Sequence, residues 1–168
     1  MSRRRLKRFP VQNSNSLWQI YRTISFWKVF YQTCIIWLAR YLPWMGLKNW
    51  VYRKLLKMKI GEQTAIAFMV MFDLLYPEKI SIGKNSIIGY NTTILTHEYL
   101  IDEYRLGEVK IGNHVMIGAN TTILPGVSIG DHAIVGAGSV VTCDIPPNHF
   151  AFGNPLQIRK IEQSICSK

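Results

Sequence analysis

The sequence predicts a parallel β-helix preceded by a helical extension, and three observations carry that expectation. An aliphatic residue opens a hexad at Ile82-Gly83, Ile88-Gly89 and Ile94-Leu95, then again at Ile111-Gly112, Ile117-Gly118, Ile123-Leu124, Ile129-Gly130, Val135-Gly136 and Val141-Thr142. The octets Ile88 to Leu95 (IGYNTTIL) and Ile117 to Leu124 (IGANTTIL) agree at seven positions and lie 29 residues apart. The chain also changes character near Lys59. Residues 1–60 hold 13 Lys and Arg, no Asp or Glu and all five Trp, whereas the remainder holds 7 Lys and Arg against 10 acids. A net charge of +10 therefore belongs to the first third of the chain and does not describe the whole.

With 168 residues, 48% hydrophobic and 18% charged, the chain suits one packed domain with an appendage and lies far from the composition of disorder. The expected division is a basic, aromatic extension over 1–59, a β-helix over 60–161 with an inserted loop at about 97–110, and a tail over 162–168. In the extension, Leu17 to Leu42 reads as helix, with Leu17, Ile20, Ile24, Trp27, Tyr31, Cys34, Ile35 and Leu38 on one stripe at helical spacing. After the Pro43 to Gly46 turn, a second short helix is expected over Leu47 to Lys59.

Such helices can cap the exposed edge of the first β-helix coil. They can also dock on an anionic membrane surface, with Trp and Tyr at the interface and Lys and Arg at the headgroups. Nucleic acid is not an expected partner, because no recognition motif accompanies the charge. The longest charge-free run here, Val29 to Ala39, falls short of the ~20 apolar residues of a membrane span, so none is expected. Arg22 and Lys28 interrupt any apolar stretch after the charged Met1 to Phe9, so that segment is not expected to act as a signal peptide.

In the β-helix, three hexads make one coil of a triangular solenoid, so the 29-residue offset is one coil with an insertion between Ile94 and Ile111. The hexad-opening side chain points inward and stacks on its equivalent one coil away. The following Gly suits a corner, either because a side chain would crowd the backbone or because positive φ is needed. Weaker members at Ile60-Gly61, Ile66 and Phe72 extend the phase backwards, with a four-residue slip before Ile82. About four coils are expected, ending near Asp144-Ile145-Pro146-Pro147, where two prolines stop strand addition. General crossover rules favour right-handed connections. Cys34, Cys143 and Cys166 are odd in number and lack C-x-x-C spacing, which predicts reduced thiols and a cytoplasmic chain.

The stretch IGNHVMIGANTTILPGVSIGDHAIVGAGSVVTCDIPPNHFAFGNP, residues 111 to 155, resembles the C-terminal coils of galactoside and maltose O-acetyltransferases. It is also similar to antibiotic and serine acetyltransferases, so the chain resembles the hexapeptide-repeat acyltransferases over roughly Ile60 to Ile161. The resemblance implies a left-handed β-helix, a homotrimer, and acetyl-CoA bound in the groove between neighbouring helices. It also implies a catalytic histidine at a loop projecting from one coil.

His97, at the mouth of the insertion, takes that role by resemblance: a general base for an alcohol attacking a thioester, by direct transfer in a ternary complex. Gly118, Ala119, Gly136, Ala137 and Thr142 match positions that contact the pantetheine arm, and Lys160 matches a basic position near the nucleotide end. Repeat geometry explains the Gly and Ala positions equally well. Met116 stands where the galactoside and maltose enzymes commonly carry Trp against the acceptor.

Asp73, beside the phase slip, and Tyr104 and Arg105 in the loop are the further expected acceptor contacts. Asp73 could bond a sugar hydroxyl, orient His97, or serve a solvated turn. His114 and His132, 18 residues apart, are expected to stack as structural corner residues, and His149 belongs to the exit turn. Some β-helix proteins resemble zinc carbonic anhydrases, but no close His pair is present, so no metal is expected. The acceptor class implied is a saccharide or cell-envelope precursor, the alternatives being antibiotic or other small-molecule acetylation and a non-catalytic scaffold.

Overall fold

In the computed structural model, which describes residues 4–161, the chain from Lys59 onward winds as a left-handed parallel β-helix of triangular section. The tail at 162–168, with Cys166, lies outside the described residues. Face 1 consists of the parallel strands Lys59–Ile60, Ile80–Ile82, Val109–Ile111 and Ser128–Ile129. Face 2 stacks Ala65–Ile66, Ile87–Ile88, Met116–Ile117, Ile134–Val135 and His149–Phe152. Face 3 stacks Met71–Phe72, Thr93–Ile94, Thr122–Ile123 and Val140–Val141. The right-handed crossover preference arises from strand twist, and strands of two residues have little twist to transmit.

The register holds hexad openers over one another: Ile66 pairs with Ile88, Ile88 with Ile117, and Ile117 with Val135. All are buried, as are Ile94, Ile123 and Val141 on face 3. Strand alternation also turns the residue two positions earlier inward. Those places hold Ser86, Thr92, Thr121 and Ser139, whose hydroxyls donate to corner carbonyls, as Thr121 does to Gly118 at 2.8 Å. The hexad Gly serves close approach rather than positive φ. A Cβ on Gly118 would lie 2.4 Å from the Ala137 backbone nitrogen on the next coil. Positive φ falls instead on other corner residues, among them Asn91, His114, Asn120 and His132, of which Asn91 donates to Asn120 at 2.9 Å.

The Pro pair does not end the solenoid. Ile145 still bridges to Ile129, and His149–Phe152 adds to face 2 before Gln157–Lys160 turns back antiparallel. Pro147 sits at a corner against Gly130, where no ladder donor is needed.

The extension departs from the single expected helix. A 3-10 turn at Ser16–Gln19 leads into α1 (Ile20–Thr23), the backbone extends at Ile24 and Ser25, and α2 begins afresh at Phe26–Ala39. The second helix, α3, spans Met45–Leu55, not Leu47 to Lys59. Nor does the expected stripe form the buried face. On α2 only Gln32, Ile36 and Ala39 are buried, while Trp27, Tyr31, Cys34 and Leu38 are exposed. A helix apolar on every side carries no moment to choose a face, so its few docking contacts decide.

α3 caps the first coil with side-chain donors aimed at open-edge carbonyls. Lys48 bonds Ala67 at 2.8 Å, Asn49 bonds Thr64 at 2.7 Å, and Arg53 bonds Ile60 and Gly61 at 2.7 and 2.8 Å. Arg40, just past α2, bonds Met69 at 3.1 Å, and Tyr52 closes the core edge-on to Phe72. Part of the basic charge is thus spent on an unpaired sheet edge. No described helix is long and apolar enough to cross a membrane.

Candidate active site

The four-residue slip and the insertion both open at the edge between faces 3 and 1, one coil apart. The slip forms a turn over Asp73 to Tyr76 followed by a 3-10 segment at Pro77–Lys79. The insertion forms a hairpin of His97–Tyr99 and Glu103–Leu106. Asp73 closes its own turn by accepting from the Leu75 and Tyr76 amides at 2.8 and 2.9 Å through Oδ1. Its Oδ2 accepts from the amides of Thr96 and His97 at 2.7 and 3.1 Å, and lies 2.6 Å from His97 Nδ1.

Asp73 is only 1% exposed. Burial by itself would push its carboxyl up, but the His97 hydrogen bond and charge, with the Thr96 and Tyr76 amides, outweigh that and hold it below the usual carboxylate range. An ionised carboxylate can only accept, so the Nδ1 contact assigns that proton to His97 and leaves Nε2 as the nitrogen with a free lone pair. Of the three readings of Asp73, the geometry fits orientation of His97. The carboxylate is too enclosed to reach an acceptor.

The rest of the hairpin is a stack of rings. Tyr99 meets His97 edge-on at 5.2 Å, Tyr104 stacks on Tyr99 at 5.5 Å, and Phe9 stacks on Tyr104 at 4.8 Å. Tyr104, expected at the acceptor, is buried with both ring faces covered, so its place is in the support of the hairpin. Arg105 stays partly exposed and pairs with Glu103.

Phe9 comes from a strand invisible to periodicity: Lys7–Pro10 runs antiparallel to Glu103–Leu106 and completes a three-stranded sheet. Arg4 pairs with Glu98 at 2.5 Å from the same side. Helix α2 supports the slip turn. With its amide oriented to donate, Gln32 reaches the Leu74 and Leu75 carbonyls at 2.9 and 3.2 Å. Lys28 bonds Glu78 at 2.8 Å and lies over the Tyr76 ring. Contacts between residues this far apart in sequence leave no local signal, so sequence reasoning missed all of them.

The expected CoA residues fall on different edges of the prism. Gly118, Ala119, Gly136 and Ala137 line the edge between faces 2 and 3, and Thr142 sits on the edge between faces 3 and 1 that also bears His97. Lys160 pairs with His149 where face 2 begins, away from both. Met116 is exposed at the middle of face 2, between Ile87 and Ile134. In a triangular prism that face is opposite the edge carrying His97, so one subunit cannot bring the two together.

His114 and His132 stack at 4.9 Å with planes 3° apart, as their spacing predicts. His149, expected in the exit turn, instead opens the strand His149–Phe152 and bonds the Pro147 carbonyl at 2.8 Å. Among the described residues, no three of His, Cys, Asp or Glu converge as a metal site.

Residues 108–143 match the family model described as bacterial transferase hexapeptide, six repeats. A Bacillus subtilis protein named "Putative acetyltransferase YvoF" is 59% identical over 155 residues, covering 92% of this chain and 90% of that protein. Among solved structures, a maltose O-acetyltransferase from Clostridium difficile superposes with a TM-score of 0.60 at 28% identity, covering 81% of this chain and 87% of that one. A galactoside acetyltransferase in complex with coenzyme A superposes with a TM-score of 0.64 at 27% identity, covering 80% and 81%.

Proposed function

Since this chain belongs to the hexapeptide-repeat acetyltransferases and is an acetyl-CoA-dependent acyltransferase, we propose that it O-acetylates a saccharide hydroxyl with His97 as general base. The observation that carries this reading is the His97–Asp73 dyad at 2.6 Å. Nε2 of His97 takes the acceptor's hydroxyl proton as the oxygen attacks the thioester carbonyl. The tetrahedral intermediate collapses with loss of the CoA thiolate, which recovers the proton from the imidazolium. Asp73 keeps the imidazole in the tautomer with Nε2 unprotonated, and its carboxylate stabilises the transient positive charge.

A homotrimer belongs to the same proposal. Ile87, Met116 and Phe150 form an exposed apolar column on face 2. A neighbouring subunit laid along it would set Met116 opposite that neighbour's His97. The small residues Gly118, Ala119, Gly136 and Ala137 leave an edge against which an extended pantetheine arm can lie close. Thr142 and Lys160, on other edges, would reach the same cofactor only through a neighbour. Lys160 would then meet the phosphates. Cys34 and Cys143 are free thiols, which suits a reducing, cytoplasmic setting.

The test is acetyl transfer from acetyl-CoA across a panel of mono- and oligosaccharides, read by thiol release. His97→Ala should lower kcat about 10²- to 10⁴-fold, while CoA affinity and oligomeric state stay unchanged. A variant within a few-fold of the parent would remove His97 from the reaction. Transfer only to amines or to no sugar would remove the saccharide.

A further inference from the structure

All five tryptophans of this protein are exposed, and each lies in the extension: Trp18 is 83% and Trp27 73% accessible. The rings of Phe26, Trp27 and Phe30 pack on one another at 5.6 to 6.4 Å, and Tyr21 adjoins Phe26 at 5.6 Å, all open to solvent. The cluster is a large apolar surface with no partner covering it among the described residues, of the kind soluble monomers rarely leave bare.

Two further features narrow what can cover it. Lys7, Arg8, Arg22, Lys54, Lys57 and Lys59 make no ion pair among the described residues, and residues 1–60 contain no acid. An aromatic cluster carried on an extension with surplus positive charge complements an anionic lipid surface. Two copies of so basic an extension would repel each other. The face also continues to the catalytic hairpin: Ser16 bonds the Leu100 carbonyl at 2.5 Å and the Val11 amide bonds Asp102 at 2.8 Å. At the tip between those bonds, Ile101 is 72% exposed.

We propose that the aromatic face of α1, α2 and the Ser16–Gln19 turn docks on an anionic lipid bilayer, bringing the hairpin tip to the membrane surface so that His97 meets an acceptor borne on a lipid. The choice of acceptor rests on the O-acetyl transfer reading. The docking does not, since it stands on exposure and charge alone. The surface is too short to span and suits interfacial binding, with rings at headgroup depth.

The experiment is flotation of the full chain with vesicles of phosphatidylcholine alone and of phosphatidylcholine mixed with phosphatidylglycerol. Binding should be at least about tenfold tighter to the anionic vesicles, weaken with added salt, and shift tryptophan emission to the blue. The double variant Trp18→Ser with Trp27→Ser should lose about tenfold in vesicle affinity, with transfer to a soluble sugar unchanged. Equal binding to both vesicle types, no binding, or a double variant that binds like the parent would overturn the docking. So would tryptophans shielded from acrylamide in the vesicle-free oligomer, which would make a second copy the occupant. Loss of transfer to every sugar with vesicle binding intact would defeat the active-site reading and leave the docking standing.

Discussion

Ile123 in the β-helix and Trp27 on α2 are both large apolar residues on regular elements. The first is fully buried and the second 73% exposed. In the solenoid each coil offers the next an identical floor, so a six-residue rhythm decides which side chains turn inward. On α2, the longest helix, the buried positions are those whose side chains find a partner in the slip turn and first coil. Polar Gln32 is among them, and Phe26, Phe30 and Trp37 are not. Apolar periodicity predicts burial where the surroundings repeat, and loses that power where a segment docks through a handful of specific bonds.

Four substitutions, taken from the largest expected effect to the smallest, can break or sharpen that contrast. Ile123→Ala should cost about 4 kcal/mol in urea unfolding, because a close-packed ladder cannot collapse around the missing atoms. A cost below about 1 kcal/mol would show the solenoid interior to be as tolerant as the extension. Asp73→Asn joins the two regions and should cost about 3 kcal/mol, since the new amide protons face the Thr96 and His97 amides. It should also lower kcat about 10²-fold by releasing the His97 tautomer.

Asp73 also fixes a pH dependence. Its carboxyl is depressed in the folded chain, so the unfolded chain binds more protons in acid. Its stabilisation is complete above the ordinary carboxylate range near pH ~4 and is lost as pH falls through the lower native value. Acid titration of Asp73→Asn should lack that component, and an unchanged acid slope would count against the dyad.

Arg53→Met should cost about 1.5 kcal/mol by uncovering the Ile60 and Gly61 carbonyls at the open edge. Trp27→Ala should change stability by no more than about 0.5 kcal/mol. A loss of 2 kcal/mol or more there, on the order of a buried side chain, would mean that the aromatic face is packed against protein in solution.

The fold was legible because Ile82 through Val141 state one rule repeatedly. The second inward column, at Ser86, Thr92, Thr121 and Ser139, follows from strand alternation but is hidden by its polarity. His97 was singled out by resemblance at the mouth of the insertion, and the structure makes it the first residue of the hairpin there. Asp73 was singled out at the phase slip, but the direction its carboxylate faces depends on a turn of irregular register, and the four backbone amides that fix it come together only in three dimensions. The break at Ser25 left a faint trace, a serine at the N-cap before Phe26, which the apolar stripe continuing on both sides of it obscured. Tyr104 was placed correctly in the hairpin and given the wrong neighbours, since Phe9 reaches it from the far end of the sequence.

The pairing of Lys7–Pro10 with Glu103–Leu106 has a consequence for how the molecule is made. About ninety residues of chain separate this strand from its mate, and closing so long a loop is entropically slow. The solenoid can therefore wind, coil upon coil, while the hairpin that bears His97 still lacks one edge. Competence for chemistry should appear later than the bulk of the folding signal, as a distinct final phase of assembly.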